Sequence, residues 1–252
     1  SVVRRIVDAL DLTERDTVVE IGPGTGALTR HLIERAGRII AVEFDRDLIT
    51  GLEREFGRSG KFELVNADAL QLDLDRLSDD KVKVIGNLPY NVATPMLQRL
   101  AAQRENLAAM VLMFQREVVE RITAEPGTKQ RGYLSVLSQN AFVTERLFDV
   151  APTAFVPVPK VWSSVVRFIP KRATPDEAAF LRLVSIAFAH KRKTLLNNLK
   201  ASVPHATDAI AAAGIDGIRR AETLSLDEWR SLFTGIQTNL PDGHSVQEPR
   251  AE

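Results

Sequence analysis

The 252-residue sequence contains no cysteine. This absence excludes disulfide bonds, thiolate-bound metals, iron–sulfur clusters and any mechanism with a cysteine nucleophile. No apolar run approaches the roughly 20 residues that a membrane-spanning helix needs. The sequence also does not open with a charged and then apolar signal segment. We therefore expect a cytoplasmic protein without a membrane partner.

Histidines are few, and neither sign of charge is in excess. The four histidines are scattered without the spacing of a metal site, so we predict no metal. Basic and acidic side chains number 33 each. The net charge therefore gives no information about partners, and only local charge does.

Apolar patterning predicts strands that alternate with helices. The strands are expected at residues 17–21, 38–43, 62–65, 82–85 and 108–114, with later strands at 142–150 and 163–169. This alternation is typical of an α/β fold with a mainly parallel sheet and helices on both faces. Residues 171–175 read as a linker, and the chain beyond them is helical without strands. We predict two domains, residues 1–170 and 171–252.

A glycine-rich turn follows the first strand. Residues 22–26 read Gly-Pro-Gly-Thr-Gly, and Glu20 lies just before them. Strand, glycine turn and helix together let the backbone approach a ligand closely. A nicotinamide or flavin site, an S-adenosylmethionine site and an unliganded turn are all compatible with this pattern. Glu20 favours S-adenosylmethionine, because its carboxylate would repel a pyrophosphate and could anchor the amino acid moiety indirectly, through water or backbone.

Two further acids follow the next strands. Glu43 ends the second strand, 21 positions after Gly22, where an acid can accept hydrogen bonds from ribose hydroxyls. Asp68 follows the third strand, where it can accept from the adenine amino group of a cofactor or can instead cap a turn. Acids at three successive strand ends, Glu20, Glu43 and Asp68, favour a cofactor site.

The fourth strand runs into Asn87, Leu88, Pro89 and Tyr90. We interpret this loop as a site that binds the amino group of a target adenine. The exocyclic nitrogen of adenine is a poor nucleophile, and it needs hydrogen-bond acceptors for its hydrogens. The Asn87 side-chain oxygen and the Leu88 carbonyl are candidate acceptors, since Pro89 restricts the direction of that carbonyl. Tyr90 offers a face for base stacking. The alternative is a capped turn with a core tyrosine.

Phe155 lies in a proline-rich segment before the last strand. Enzymes that modify bases extrude the target and clamp it between apolar and aromatic faces. We therefore consider Phe155 a second wall of a base pocket, with an ordinary core phenylalanine as the alternative.

Basic residues accumulate from position 160 onward. We interpret these basic residues as a surface that contacts nucleic-acid phosphates. The alternative is a helix face that is merely solvated. The predicted RNA contacts are Lys160, Arg167, Lys191, Arg192 and Lys193.

Taken together and in order, these segments resemble the ribosomal RNA adenine-N6,N6-dimethyltransferases. The resemblance covers nearly the whole chain and rests on EIGPGTGALT (20–29), EFDRDL (43–48), NADA (66–69), NLPY (87–90) and AFVPVPKVWSSV (154–165). Segments 190–194 and 220–222 are most similar to the small-subunit (16S) branch linked to kasugamycin sensitivity.

The resemblance implies a Rossmann-like methyltransferase domain followed by a small helical domain. S-adenosylmethionine would be the donor, and the substrate would be two adjacent adenosines in the 3′-terminal hairpin of 16S rRNA within a pre-30S particle. We expect a monomer. The expected cofactor-binding residues are Glu20, Gly22, Gly24, Gly26, Glu43, Phe44, Asp68, Ala69 and Asn87. The family's basic arm and its Gln-Asn/His-Phe-Leu segment would precede residue 1.

Several alternatives stay open. The chain also shares its pattern with the 23S enzymes that confer macrolide resistance and with a mitochondrial relative that acts in transcription. A ribosome-assembly factor that acts mainly by binding is an alternative from another class. A nicotinamide enzyme is the least favoured, since no hydride-handling site is visible.

Overall fold

The computed structural model of the protein describes residues 1–89 and 92–239. The seven strands are β1 (Thr17–Ile21), β2 (Arg38–Glu43), β3 (Phe62–Asn66), β4 (Val82–Asn87), β5 (Leu107–Gln115), β6 (Phe142–Val150) and β7 (Ser163–Pro170). The helices are α1 (Val2–Asp8), α2 (Thr29–Leu32), α3 (Arg46–Phe56), α4 (Ala93–Ala102), α5 (Arg116–Ile122), α6 (Tyr133–Ala141), α7 (Glu177–Ala187), α8 (Leu195–Leu199), α9 (Ala206–Ala212) and α10 (Leu226–Asn239).

The strands form one sheet in the order β3-β2-β1-β4-β5-β7-β6. The first five strands in this order are parallel, and β7 lies antiparallel between β5 and β6. The chain order reverses between β1 and β4, so a crevice opens at the carboxyl ends of these two strands. The predicted α/β fold with a mainly parallel sheet is confirmed.

The predicted strands match the observed ones to within two residues, because their apolar runs are buried. Val18 and Val19 in β1 are both fully buried although their side chains point to opposite faces. Burial of both faces is typical of a central parallel strand covered by helices. Helix α10 runs from Leu226 to Asn239, and Trp229, Leu232 and Ile236 form its buried stripe.

The first compact unit comprises residues 1–123 and 141–172 and contains the whole sheet. One side of the sheet packs on the N-terminal helix, where Ile6 and Val7 of α1 join Val18, Ile39 and Ile85 in a buried cluster. The strand register places Ile21 of β1 beside Val42 and Gly86. The residues that follow these strands therefore emerge at one edge.

The second unit comprises residues 124–140 and 173–252 and is helical where the structure describes it. Its core includes Phe180, Leu195 and the fully buried Trp229. Arg219 and Glu228 form an ion pair of 2.5 Å, which raises the pKa of Arg219 and lowers that of Glu228. Residues 124–140 are part of this unit together with the C-terminal helices. The sequence predicts a single domain boundary after residue 170.

The described residues contain neither a membrane-spanning helix nor a cluster of metal ligands. None of the described helices is both long and apolar enough to cross a bilayer. Within the same ranges no three His, Asp or Glu side chains are grouped closely enough to hold a metal ion.

Candidate cofactor and target site

The turn after β1 adopts a backbone conformation that favours glycine. Gly22, Gly24 and Gly26 have φ angles of +65°, +58° and +81°. A Cβ at Gly22 or Gly24 would meet nothing within 4 Å, whereas one at Gly26 would lie 2.4 Å from the Phe56 ring. The first two glycines thus open the backbone to a ligand, and the third allows close packing against α3.

The end of β2 holds this glycine turn in place. Glu43 is buried, its Oε2 accepts a hydrogen bond from the Gly24 N–H at 3.1 Å, and its Oε1 accepts from the Asp45 N–H at 2.9 Å. The Asn66 side chain donates to the Glu43 carbonyl at 2.8 Å. These contacts connect β1, β2 and β3 at the edge of the sheet.

Glu20, the first of the three predicted acids, is enclosed within the protein beside α2. It is fully buried, and its Oε2 accepts a hydrogen bond from the Thr29 hydroxyl at 2.7 Å. Burial raises the pKa of Glu20 to about 7, the Thr29 hydrogen bonds oppose this rise, and Glu43 adds to it. Its Oε1 has no hydrogen-bond partner within the described parts of the chain. The structure therefore directs Glu20 toward α2.

A cavity of about 420 Å³, here the acidic cavity, lies beyond the ends of β1 to β3. Four residues from the expected cofactor set line it, namely Glu43, Phe44, Asp68 and Ala69, and Phe44 is 75% exposed. Asp68 also caps a 3₁₀ turn, since its Oδ1 accepts from the Leu70 N–H at 2.9 Å. One of its oxygens thus fills the capping role named as the alternative, while the residue still faces the cavity.

A second cavity of about 420 Å³, here the Asn87 cavity, lies on the other side of the glycine turn. Gly24, Asn87, Met113 and Phe155 line it, and Gly22 lines both cavities. The structure thus brings the predicted cofactor turn and the predicted catalytic residues Asn87 and Phe155 to one place.

The loop after β4 leaves polar atoms available. The Leu88 N–H donates to the Met113 carbonyl at 3.1 Å, and the Leu88 side chain is buried. The Asn87 side chain is exposed and bonds to no other described residue, and none of the described donors reaches the Leu88 carbonyl. Pro89 lines the acidic cavity. Tyr90 lies outside the described residues.

The predicted RNA-binding residues fall into three places. Lys160 is exposed in the β6–β7 loop. Arg167 lies within β7 and pairs with Glu145 at 2.7 Å. Lys191, Arg192 and Lys193 are exposed in the turn between α7 and α8 of the second unit. The charge of Arg167 is therefore paired with the carboxylate of Glu145 on the neighbouring strand β6.

Some site residues escape prediction from the sequence. Thr29, which bonds Glu20, reads as an ordinary helix residue, and Met113 reads as part of an apolar strand. Val2 and Ile6 of α1 line the Asn87 cavity, yet their spacing indicates only an amphipathic helix. The one signal for Met113 is its position at the end of the strand beside β4, where it pairs with Asn87.

This sheet order, with a glycine turn between an acidic cavity and a second cavity, defines a Rossmann-like methyltransferase. The ribosomal RNA adenine dimethylase family model matches residues 1–238. The chain belongs to this family and is an rRNA adenine dimethyltransferase, as the sequence motifs predict.

The chain is similar along its length to curated members of the family. It is 44% identical over 94% of its length to ribosomal RNA small subunit methyltransferase A of Thiobacillus denitrificans, of which it covers 93%. It is 45% identical over 90% of its length to the protein of the same name from Laribacter hongkongensis, of which it covers 88%.

Two solved structures have the same fold. A dimethyladenosine transferase from Plasmodium falciparum superimposes with a TM-score of 0.81 at 24% identity, over 94% of this chain and 95% of that one. The 23S rRNA methyltransferase ErmE gives a TM-score of 0.72 at 25% identity, over 94% of this chain and 97% of that one. The predicted Rossmann-like fold with a helical C-terminal part is therefore confirmed.

Proposed function

We propose that this protein, as a cytoplasmic monomer, transfers methyl groups from S-adenosylmethionine to N6 of two adjacent adenosines. The substrate is the 3′-terminal hairpin loop of 16S rRNA in the 30S particle. The observation that carries the proposal is that Gly22 lines both the acidic cavity and the Asn87 cavity, so the two cavities meet at this residue. The names of the curated relatives support the small subunit as the substrate.

The acidic cavity fits an adenosine-containing donor. Gly22 leaves open space where a side chain would stand, so a ligand in this cavity can approach its backbone. Glu43 uses both oxygens within the loop, but each oxygen retains a lone pair for a ribose hydroxyl. Asp68 keeps a second oxygen for an adenine amino group, with Phe44 and Ala69 beside it. When bound, S-adenosylmethionine supplies an electrophilic methyl group.

The Asn87 cavity fits the target amine. The Asn87 side-chain oxygen and the Leu88 carbonyl accept hydrogen bonds from the two N6 hydrogens, which raises electron density at N6. No covalent intermediate is needed, because positioning and electrostatics carry the rate. Each transfer replaces one N6 hydrogen, and that proton passes to solvent. Dimethyladenine has no N6 hydrogen left for either acceptor. The same two acceptors therefore favour release after the second transfer.

The target base needs walls as well as acceptors. Phe155 lines the Asn87 cavity and provides one apolar face. Tyr90 provides the other in this proposal. Stacking of a base on an aromatic ring contributes roughly 1–3 kcal/mol, which offsets part of the cost of extruding the base.

Exposed cations supply the contacts to RNA phosphates. Lys160 lies in the loop that carries Phe155, and Lys191, Arg192 and Lys193 present three charges from one turn of the second unit. Arg167 contributes less, because Glu145 pairs with it.

The test is methyl transfer from labelled S-adenosylmethionine with the modified base mapped. Undermethylated 30S particles, mature 30S particles and naked 23S RNA serve as acceptors. We expect dimethyladenosine in the 3′ hairpin of undermethylated 30S and none in 23S RNA. Label in 23S RNA would favour the macrolide-resistance activity, and tight 30S binding without transfer would favour an assembly factor.

A variant of Asn87 tests the proposed role of its side chain as a hydrogen-bond acceptor. Asn87→Ala removes an acceptor used in the transition state, so we expect methyl transfer to fall by roughly 10² to 10³ while particle binding is unchanged. Asn106→Ala, before the opposite end of the neighbouring strand β5, is the control and should keep full activity. Loss of particle binding in Asn87→Ala would contradict the assigned role.

A further inference from the structure

Exposed apolar side chains concentrate in one short segment of the β6–β7 loop. Of the eight exposed large hydrophobic residues in 1–89 and 92–239, four lie between positions 156 and 162: Val156, Val158, Val161 and Trp162. Trp162 is 45% exposed. A local group of exposed apolar side chains is typical of an interaction surface.

The backbone of Trp162 is fixed at the ligand edge of the sheet. Its carbonyl accepts a hydrogen bond from the Arg116 N–H at 2.9 Å, at the start of α5. The next residue, the buried Ser163, begins β7 and pairs with Gln115 at the end of β5. An aromatic ring presented from a fixed backbone loses little conformational freedom on binding.

The loop that carries Trp162 also contributes to the Asn87 cavity. Phe155 and Val156 line that cavity, and the same loop runs on to Trp162. Register places Asn87 beside Met113 and Met113 beside Val165. Strand spacing and rise then put the Cα atoms of Asn87 and Trp162 about 14 Å apart. This separation leaves room for a flanking nucleotide at Trp162 while the target base lies at Asn87.

Charge around the ring favours a nucleic acid over an apolar protein surface. Lys160, two residues before Trp162, is exposed and forms no ion pair with another described residue. A cation next to an exposed aromatic ring is typical of single-stranded nucleic acid sites, where the ring stacks a base and the cation contacts the phosphate.

We propose that Trp162 stacks a nucleotide that flanks the target adenosine and, with Lys160, positions the RNA strand. This inference rests on the proposed function and adds a specificity-determining residue to it. Trp162 does not touch the reacting amine. Its loss should therefore weaken substrate binding and leave the chemical step unchanged.

The first experiment measures kcat and KM for undermethylated 30S particles. In Trp162→Ala we expect KM to rise about tenfold, with kcat within twofold and an unchanged Kd for S-adenosylmethionine. Trp162→Phe should restore most of the KM. Val143→Ala removes another exposed apolar side chain, at the opposite end of the β6–β7 pair, and should match the wild type. An unchanged KM in Trp162→Ala, or a weakened affinity for S-adenosylmethionine, would overturn the proposal.

The second experiment identifies the occupant. Trp162 is replaced by the photoreactive benzoylphenylalanine, and its crosslinks on undermethylated 30S particles are mapped. A crosslink to a nucleotide next to the methylated adenosines is expected. A crosslink to a ribosomal protein, or none at all, would overturn the proposal. If the wild-type chain itself fails to methylate 30S particles, the proposed function fails. The crosslink still reports separately on whether Trp162 contacts RNA.

Discussion

The Glu43 carboxylate accepts a hydrogen bond of 3.1 Å from the backbone amide of Gly24, which ties the end of β2 to the glycine turn after β1. An acid at this position is expected to contact ribose hydroxyls. In the structure it also organises the turn around which both cavities lie. One side chain therefore couples the shape of the acidic cavity to that of the Asn87 cavity.

Glu43→Gln should weaken binding of S-adenosylmethionine. Both carboxylate oxygens accept from backbone N–H groups, and a glutamine offers only one acceptor oxygen. One of these partly buried hydrogen bonds is then lost, so we expect Kd to rise about tenfold in a calorimetric titration. Glu63→Gln, at an exposed ion pair on β3, is the control and should leave Kd unchanged. Equal affinities for wild type and Glu43→Gln would contradict the role of Glu43.

Glu20→Gln should change how stability depends on pH. The pKa of Glu20 is raised from 4.5 to about 7 by burial. A carboxyl whose pKa is higher in the folded chain contributes stability below the unfolded value and loses it as pH rises through the folded value. This loss amounts to roughly 3 kcal/mol between about pH 4.5 and pH 7.

A neutral glutamine removes this dependence and still accepts from Thr29. We therefore expect Glu20→Gln to gain in free energy of unfolding relative to wild type between about pH 5 and pH 8, measured by urea denaturation. Glu34→Gln replaces an exposed carboxyl and serves as the control. A constant difference between Glu20→Gln and wild type across this range would show that Glu20 ionises in the folded protein as it does in the unfolded chain.

Gly26→Ala should destabilise the first unit. The position has a φ of +81°, and a Cβ there would lie 2.4 Å from the Phe56 ring. Left-handed strain and overpacking together cost roughly 2–4 kcal/mol, so the melting temperature should fall by several degrees. Gly51→Ala in α3 is the matched control, since its Cβ meets nothing within 4 Å. That change should stabilise by about 0.5–1 kcal/mol, and similar melting temperatures for both variants would refute the packing role of Gly26.

Replacement of Lys191, Arg192 and Lys193 by alanine should weaken binding to 30S particles in a salt-dependent way. Each lost phosphate contact lowers the slope of log K against log salt by about 0.7–0.9, so the three together should lower it by roughly 2–3. Binding of S-adenosylmethionine should not change. A control triple variant of the exposed Arg54, Arg58 and Lys81 removes the same charge from the first unit. Equal slopes for the two triple variants would indicate a general charge effect and exclude a dedicated contact.

The sequence by itself determined the strands, the glycine turn, the two acids after β2 and β3, the Asn87 loop and the family. These features are local. A buried strand needs an apolar run, a left-handed turn needs glycine, and an acceptor loop needs its asparagine and proline within a few positions of each other in the chain. The roles of the individual site residues stay predictions for the experiments above.

The tertiary structure alone decided which of these residues meet. Gly22 joins two cavities, Glu43 bonds the glycine turn, Glu20 turns to Thr29, and Arg167 pairs with Glu145. Residues 124–140 likewise group with the C-terminal helices. The physical reason is that these contacts join residues that are separated in the sequence. Strand register and the face of the sheet to which a side chain points bring such residues together. A local pattern shows that a side chain is polar or apolar, but only strand pairing and packing set the partner that it reaches.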